Sequence, residues 1–416
     1  MKIFKFGGAS VKNAEGVKNL ANILKKHAGK TIVVVSAMGK TTNALEEVAR
    51  QYFSGDGNIP ETIDQIRKTH LDICSSLFDF NDRIFQDLEA IFQKLGNKIR
   101  EEHSLDYDFE YDQIVSLGEL ISTKIVNAYL CKEGIASKWI DIRNYLRTDD
   151  TFREALIDWE LSGELIPKAF TFSDVDVYIT QGFIGSTISN LTTTLGREGS
   201  DYTAAILANL LNAECVVIWK DVPGILNADP QYFEATQKLE EISYQEAIEL
   251  SYSGAKVIHP KTIKPLENKK IPLYVNSFID PDANGTVIHY INHKMELVPV
   301  FIMKKNQVLL TITPKDFSFV MEESLSKIFG LLASLRIKAN IVQHSALNFS
   351  IAIDMPERGV EPLVKKIEKE FDIRYNTDLD LITIRHYDEE AIDKITNERN
   401  IFVEQKTRTT ARFLVR

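Results

Sequence analysis

The sequence is poor in cysteine and lacks the long apolar runs of membrane proteins. Its 416 residues include 3 cysteines, Cys74, Cys131 and Cys215, which form no CxxC pair. An odd number of widely spaced cysteines fits neither a disulfide framework nor a zinc site. The longest apolar runs, such as residues 31–35, are far shorter than the roughly 18 residues that a membrane span needs. We therefore expect reduced core thiols and no bilayer crossing.

The sequence also lacks the pattern of a secretory leader and any basic cluster. Two lysines and a glycine pair stand in Met1–Gly8, where a signal peptide needs its apolar stretch, so we expect a cytoplasmic protein. Lys and Arg total 49 against 59 Asp and Glu, which gives a formal net charge of −10. Such a chain is a poor candidate for holding nucleic acid through its phosphates. Any anion that it binds must be met by a few placed groups.

The hydrophobic pattern of the first 290 residues is that of an α/β protein. Apolar residues make up 44% of the chain and charged residues 26%, as in ordinary globular proteins. Strand patterns, beginning with Ile3–Phe6 and Thr31–Val35, alternate with helical patterns. This alternation predicts a mostly parallel sheet covered on both faces by helices. Residues 60–105 have helical spacing and predict a helical insertion.

The pattern changes beyond about residue 300. Strands and helices follow in the order βαββαβ up to residue 377, with separate strands expected at 373–377 and 379–385. This order is typical of a ferredoxin-like module. The remaining residues resemble a second copy that is cut short. We predict three domains, spanning residues 1–295, 300–377 and 378–416.

Two glycine-rich segments could bind an anion. In the first, Lys5 precedes Gly7 and Gly8 at a strand-to-helix turn, where backbone N–H groups can approach phosphate oxygens closely. An ordinary tight turn has the same residues, and the common P-loop pattern is absent. In the second, Arg197 offers a planar fork for a carboxylate or phosphate, beside Ser200. Capping of the next helix explains Ser200 but not Arg197, which favours a functional interpretation.

Further polar residues stand at predicted strand ends and bends. Lys220 and Asp221 follow a buried strand pattern and should project at the edge where open α/β sheets bind ligands. Lys256 stands at a glycine-marked bend. A surface loop, a solvated lysine and, for Glu119, an ordinary surface charge are the alternatives. We interpret His259, which precedes a proline, as structural.

In this order and at these spacings, the segments resemble the aspartate kinases of the amino acid kinase superfamily. The motifs are Lys5-Phe-Gly-Gly-Ala-Ser-Val, Ser36-Ala-Met-Gly with Thr42-Asn43, Gly118-Glu119, Thr194-Leu-Gly-Arg-x-Gly-Ser-Asp-Tyr, Asp221-Val-Pro-Gly-Ile and Gly254-Ala-Lys-Val-x-His-Pro. With Pro272-Leu-x-Val-x-Ser-Phe and Gly285-Thr, they span essentially the whole of residues 1–290, and residues 308–416 resemble the paired ACT domains of that family. The resemblance implies the amino acid kinase fold, a mostly parallel αβα sandwich, followed by a ferredoxin-like ACT region.

The resemblance also implies an activity: ATP-dependent phosphorylation of the side-chain carboxylate of L-aspartate to 4-phospho-L-aspartate, with ATP and Mg²⁺ as cofactors. The implied catalytic residues are Lys5, Asp201 and Lys256. The implied substrate-binding residues are Thr42, Glu119, Arg197 and Ser200. The implied nucleotide-binding residues are Lys5, Gly7, Gly8, Lys220, Asp221, Lys256 and Val257. It implies no metal site made of protein ligands, and a homodimer formed through the ACT domains.

Two alternatives remain open. The chain could be another superfamily kinase, acting on glutamate, acetylglutamate or a nucleoside monophosphate, or a non-catalytic amino-acid sensor. The retained Lys5, Asp201 and Lys256 argue against the sensor. Glu119 with Arg197, and the ACT region, favour aspartate as the substrate.

The sequence departs from the family pattern at several positions. These are Ala9 and Glu198, where Thr and Gly are usual, and Leu226 and Gln231, where Tyr and Arg commonly contact the nucleotide. In the ACT region, Asn340 stands where effector-binding relatives often have Asp, and Ala346 where they have Glu. We therefore expect free lysine to inhibit weakly or not at all.

Overall fold

The chain divides into two compact units. The computed structural model describes residues 1–27, 29–255, 258–293, 297–316, 322–356 and 359–416. Unit 1 comprises residues 1–225, 238–248 and 257–292, and unit 2 comprises residues 226–237, 249–256 and 293–416. The three domains expected from the sequence stay a prediction.

Unit 1 is built from alternating strands and helices. Its strands are β1 (Lys2–Phe6), β2 (Thr31–Val35), β3 (Ser137–Ile140), β4 (Val177–Gln181), β5 (Ile184–Ser186), β6 (Thr192–Thr194), β7 (Cys215–Lys220), β8 (Glu241–Ser243), β9 (Leu273–Ser277) and β10 (Thr286–His289). Its helices are α1 (Ala14–Lys26), α2 (Thr41–Ser54), α3 (Ile59–Leu77), α4 (Ile84–Lys98), α5 (Tyr107–Val115), α6 (Leu117–Lys132), α7 (Trp159–Ala169), α8 (Gly199–Leu211) and α10 (Pro260–Lys269), with α9 (Tyr244–Ser253) beginning in this unit. Helices α3 and α4 confirm the predicted helical insertion.

The main sheet of unit 1 has eight strands in the order β3-β4-β2-β1-β7-β9-β10-β8. Its pairs are parallel except β9–β10, so the predicted, mostly parallel sheet is confirmed. Every residue of β2 is buried, as expected for a strand covered on both faces. Phe6 of β1 stacks on Trp219 of β7, with ring centroids 6.0 Å apart. Strand ends that meet at one edge of a parallel sheet bring Lys5 and Lys220 close together.

The thiols and the apolar helices of unit 1 belong largely to its core. Cys74 and Cys215 are buried free thiols, as predicted, whereas the prediction was wrong for Cys131, which is exposed near the end of α6. Residues Tyr107–Lys132 are long and apolar enough for a membrane span, but 78% of their most apolar window is buried inside the protein. Burial of that kind is typical of a core helix.

Unit 2 is an antiparallel sheet with helices, and it confirms the βαββαβ order. Its elements are β11 (Val300–Pro314), α11 (Glu322–Ser334), β12 (Ala339–His344), β13 (Phe349–Asp354), α12 (Glu361–Ile367), β14 (Phe371–Arg385), α13 (Glu389–Thr396), β15 (Ile401–Lys406) and β16 (Thr410–Val415). The sheet order is β12-β13-β11-β14-β16-β15.

One feature of unit 2 differs from the sequence prediction. The two strands expected at 373–377 and 379–385 form the single strand β14, with Asp378 at a left-handed φ of 57° between them. The second half of β14 pairs with residues Val300–Lys304, the first part of β11. The shorter second copy therefore receives an additional strand from the first part of β11, the strand whose second part pairs with β13 of the first copy.

Candidate active site

Two lysines and one buried aspartate form a charged cluster at the carboxyl edge of the main sheet. Lys5, near the end of β1, places its Nζ 2.6 Å from Oδ1 of Asp201, in the first turn of α8. Lys220, the last residue of β7, places its Nζ 4.0 Å from Oδ2 of the same carboxylate. Burial by itself raises the pKa of Asp201, but Lys5 and Lys220 together lower it below its usual value. The cluster therefore contains an ionised carboxylate, Asp201. The two lysines that pair with it can also face an anionic ligand.

The glycine turn after β1 brings bare backbone to this cluster. A Cβ on Gly7 would lie 3.4 Å from Lys5 Nζ, and a Cβ on Gly8 only 2.5 Å from the carbonyl oxygen of Ala37. The N–H of Gly39 donates to the carbonyl of Gly8 at 2.9 Å. The turn after β1 thus packs directly against the loop after β2, and a side chain at Gly8 has no room.

Glu119 lies on the other side of that loop, in the first turn of α6. Its side chain is 2% exposed, and its Oε1 accepts a hydrogen bond from the N–H of Ala37 at 3.2 Å. Its Oε2 is buried and has no hydrogen-bond partner among the described residues. Burial raises the pKa of Glu119 to about 8. A buried carboxylate oxygen without a partner is suited to a cationic ligand, which favours its ionised form.

The remaining predicted substrate residues lie at the starts of α2 and α8. Thr42 is half-buried in the first turn of α2, while its neighbour Thr41 donates from its hydroxyl to the carbonyl of Met38 at 2.6 Å. Arg197 is exposed in the loop that joins β6 to α8, and Ser200 is buried in the first turn of α8. All of these segments begin where a strand or hairpin of unit 1 ends.

Of the three other residues predicted to bind the nucleotide, one lies among the described residues and two do not. Asp221 is exposed, directly after β7. Lys256 and Val257 lie outside the described residues, so the roles expected for them stay predictions.

The unusual Glu198 has a structural explanation. It precedes α8 with a left-handed φ of 54°, a conformation in which glycine costs least. Its Oε2 accepts a hydrogen bond from the N–H of His259 at 2.8 Å, a contact that glycine could not make. The Nδ1 of His259 accepts from the N–H of Lys261 and caps α10, which confirms the structural interpretation of this histidine.

Sequence reasoning missed Asp112, a buried residue of α5 that contacts the end of β6, directly before the loop that carries Arg197. Its carboxylate accepts hydrogen bonds from the N–H of Thr194 at 2.8 Å and from the Thr194 hydroxyl at 2.7 Å. The one signal in the sequence was an acidic residue close to the apolar pair Ile114–Val115. That signal gives no partner, because the contact joins residues 82 positions apart.

Comparisons with known proteins agree with this geometry. Residues 1–277 match the profile of the Amino acid kinase family. The chain is 34% identical to Lysine-sensitive aspartokinase 3 of Escherichia coli K12, covering 85% of this chain and 78% of that protein. It is 29% identical to the bifunctional aspartokinase/homoserine dehydrogenase 2 of Arabidopsis thaliana, covering 89% of this chain but 42% of that protein.

A solved structure matches the whole chain. The crystal structure of E. coli aspartokinase III in complex with aspartate and ADP aligns with a TM-score of 0.83 at 30% identity, covering 100% of this chain and 96% of that one. Profile, sequence and fold therefore agree over the segments that carry the charged cluster. The chain belongs to the amino acid kinase family and, within it, groups with the aspartokinases.

Proposed function

We propose that the protein is an aspartate kinase, which transfers the γ-phosphoryl group of ATP to the side-chain carboxylate of L-aspartate. The product, 4-phospho-L-aspartate, is the first intermediate toward lysine, threonine and methionine. The observation that carries the proposal is the cluster in which Lys5 and Lys220 flank the buried Asp201. This cluster supplies fixed positive charge next to the glycine turn after β1, whose backbone N–H groups can bind a polyphosphate.

In the proposed site, the nucleotide phosphates lie against the glycine turn. A Cβ on Gly7 would lie 3.4 Å from Lys5 Nζ, so the absence of side chains at Gly7 and Gly8 lets phosphates approach the turn, and Lys5 and Lys220 offset phosphate charge. We assign Asp221, Lys256 and Val257 to the same nucleotide site.

Mg²⁺ enters the proposed reaction with the nucleotide. In the described part of the chain, no group of three or more His, Cys, Asp or Glu side chains could hold a metal ion. Phosphate oxygens of the bound nucleotide would hold the ion, and it would neutralise charge on the transferring group. Asp201 orients the lysines and is not required as a metal ligand.

L-Aspartate is proposed to bind between the starts of α2, α6 and α8. Glu119 Oε2 accepts hydrogen bonds from the α-ammonium group, and Arg197 meets the α-carboxylate as a planar fork. Thr42 and Ser200 line the same site. This arrangement leaves the side-chain carboxylate as the nucleophile: one oxygen forms a bond to the γ-phosphorus while the bond from phosphorus to the bridging oxygen of ADP breaks. A carboxylate needs no general base, so alignment and charge stabilisation carry the catalysis.

Substrate-dependent ADP formation tests the proposed function. With ATP and Mg²⁺, L-aspartate should support turnover, whereas L-glutamate, N-acetylglutamate and UMP should give only background. Turnover with one of the other acceptors would establish a different superfamily kinase. Absence of turnover with every acceptor would favour the amino-acid sensor.

We also propose a cytoplasmic homodimer that forms through unit 2. The support is the resemblance to ACT domains together with an outer strand, β15, on which Ile401 and Phe402 are partly exposed. Light scattering after size exclusion should give twice the chain mass, and Phe402→Glu should shift the species toward monomer. A wild-type mass equal to one chain would contradict the dimer.

A further inference from the structure

Asp112 is a fully buried carboxylate for which the proposed chemistry has no use. Its side chain is 0% exposed on α5. One oxygen, Oδ2, accepts from the N–H of Thr194 at 2.8 Å and from the N–H of Arg153 at 3.0 Å. The other, Oδ1, accepts from the Thr194 hydroxyl at 2.7 Å. Three donors from two distant chain segments therefore converge on a single side chain.

The two segments flank the turn that carries Arg197. Thr194 ends β6, three residues before Arg197. Its carbonyl accepts from the N–H of Ala155 at 3.0 Å. A Cβ on Gly196 would lie 3.2 Å from the carbonyl oxygen of Arg153, which has a left-handed φ of 68°. Asp112 thus fixes both the start of the turn and the loop against which the turn packs.

Ionisation of the buried Asp112 lowers the stability of the folded protein. Burial raises the pKa of Asp112 to about 6, although hydrogen bonds from Arg153 and Thr194 lower it and the nearby charge of Asp108 raises it. A raised pKa in the folded protein means that the free energy of unfolding falls as the pH rises from the ordinary pKa of 3.8 to about 6, because the unfolded chain ionises first. A neutral side chain would avoid this cost, so stability alone does not account for a carboxylate at this position.

We propose that Asp112 is a positioning residue for the reaction, whose carboxylate holds the Thr194–Arg197 turn so that Arg197 meets the α-carboxylate of aspartate. This inference rests on the proposed function. It predicts that Asp112 acts on the affinity for aspartate, and not on the phosphoryl-transfer step.

The test is the kinetics of Asp112→Asn. An asparagine keeps one acceptor oxygen but turns an NH₂ group toward donors, so the turn loses part of its support. The KM for aspartate should rise about tenfold, the effect of losing one or two buried hydrogen bonds. The kcat and the KM for ATP should change by less than about threefold. Thr194→Val, which removes only the hydroxyl bond, should raise the same KM by less, and Thr194→Ser should restore it.

Glu110→Gln is the matched control. Glu110 is also 0% exposed on α5, but its partners are Lys98 and the N–H of Ser104, which lie outside the site. This variant should lose thermal stability without a change in the KM for aspartate. Equal KM increases in Glu110→Gln and Asp112→Asn would show that the effect is general loosening and would overturn the role of Asp112.

A pH profile separates positioning from a purely structural role. The titratable groups near Asp112 are Asp108, which raises its pKa and pairs with the Arg153 guanidinium at 3.2 Å, and Tyr111, whose own pKa Asp112 raises. As the pH falls through about 6, the wild-type KM for aspartate should rise, and in Asp112→Asn this step should be absent. The same step in both proteins would contradict the proposal. Wild-type enzyme without aspartate-dependent turnover would instead overturn the proposed function, and the role of Asp112 with it.

Discussion

At the scale of single residues, the site combines a buried carboxylate that the described residues leave incompletely satisfied with one whose charge is balanced. Glu119 is the first of these, because one of its buried oxygens has a backbone partner and the other has none among the described residues. Asp201 differs, since two lysines balance its charge. Glu119 is a binding group without its ligand, and Asp201 is a positioning group that already has its partners. The two residues should therefore respond differently to mutation.

Glu119→Gln should weaken aspartate binding and stabilise the free enzyme at alkaline pH. Loss of the charged partner of the α-ammonium group should raise the KM for aspartate about 10- to 100-fold. The folded-state pKa of about 8 lies above the ordinary 4.5, so the free energy of unfolding falls as the pH rises from about 4.5 to about 8, and the full cost of ionisation is present above pH 8. Thermal unfolding above that pH should therefore give a higher Tm for Glu119→Gln than for wild type. An equal or lower Tm would mean that Glu119 has an unseen cationic partner.

Lys5→Met should lower kcat by about 100-fold or more, because a charge that acts on the transition state is lost. It should also lower the Tm, since the buried Asp201 loses the nearer of its two cations. Lys18→Met, at an exposed lysine paired with Glu15, is the control and should change neither quantity. Near-normal turnover of Lys5→Met would remove Lys5 from the mechanism.

At the scale of secondary-structure elements, the site depends on close contact between the loops after β1 and β2. Gly8→Ala tests this contact, because a Cβ there would lie 2.5 Å from the Ala37 carbonyl oxygen. Turnover and Tm should both fall. Gly96→Ala, within α4 where a Cβ meets nothing within 4 Å, should raise stability by about 1 kcal/mol through helix propensity. Equal activity in the two variants would contradict the proposed fit of the turn.

The sequence predicted the elements better than their pairing. Glycines and strand ends pointed to Lys5 and Lys220, because parallel strands bring their carboxyl ends to one edge, whereas the role of Asp201 was expected only from the family resemblance. The contact between Glu198 and His259 could not be found, since it joins loops 61 residues apart. The single strand β14 was also missed, because Asp378 resembles a turn residue and only pairing with β11 keeps the strand continuous.

At the scale of the whole molecule, unit 2 raises the question of feedback control. The Asn340 side chain donates to Gln307 at 2.8 Å and to Asp354 at 3.1 Å, and accepts from Lys304 at 2.9 Å. These contacts occupy it within unit 2, and the exposed Ala346 offers no charge. A lysine effector would therefore lack two acidic partners of the kind that charge-assisted binding uses.

Free lysine should accordingly inhibit the enzyme weakly or not at all. The check is a lysine titration of kinase activity, with and without threonine, at a subsaturating aspartate concentration. Strong inhibition at submillimolar lysine would show that backbone groups alone bind the effector and that Asn340 and Ala346 do not decide sensitivity.

The central claim is that the side-chain carboxylate of aspartate attacks ATP, and trapping the product with hydroxylamine tests it most directly. An acyl phosphate forms a hydroxamate, whereas a phosphorylated alcohol or phosphate does not. Incubation of the enzyme with ATP, Mg²⁺, L-aspartate and hydroxylamine should yield the side-chain (4-position) hydroxamate of aspartate, at a rate about 100-fold or more lower in Lys5→Met. Hydroxamate at the α-carboxylate, or none while ADP still forms, would contradict the account.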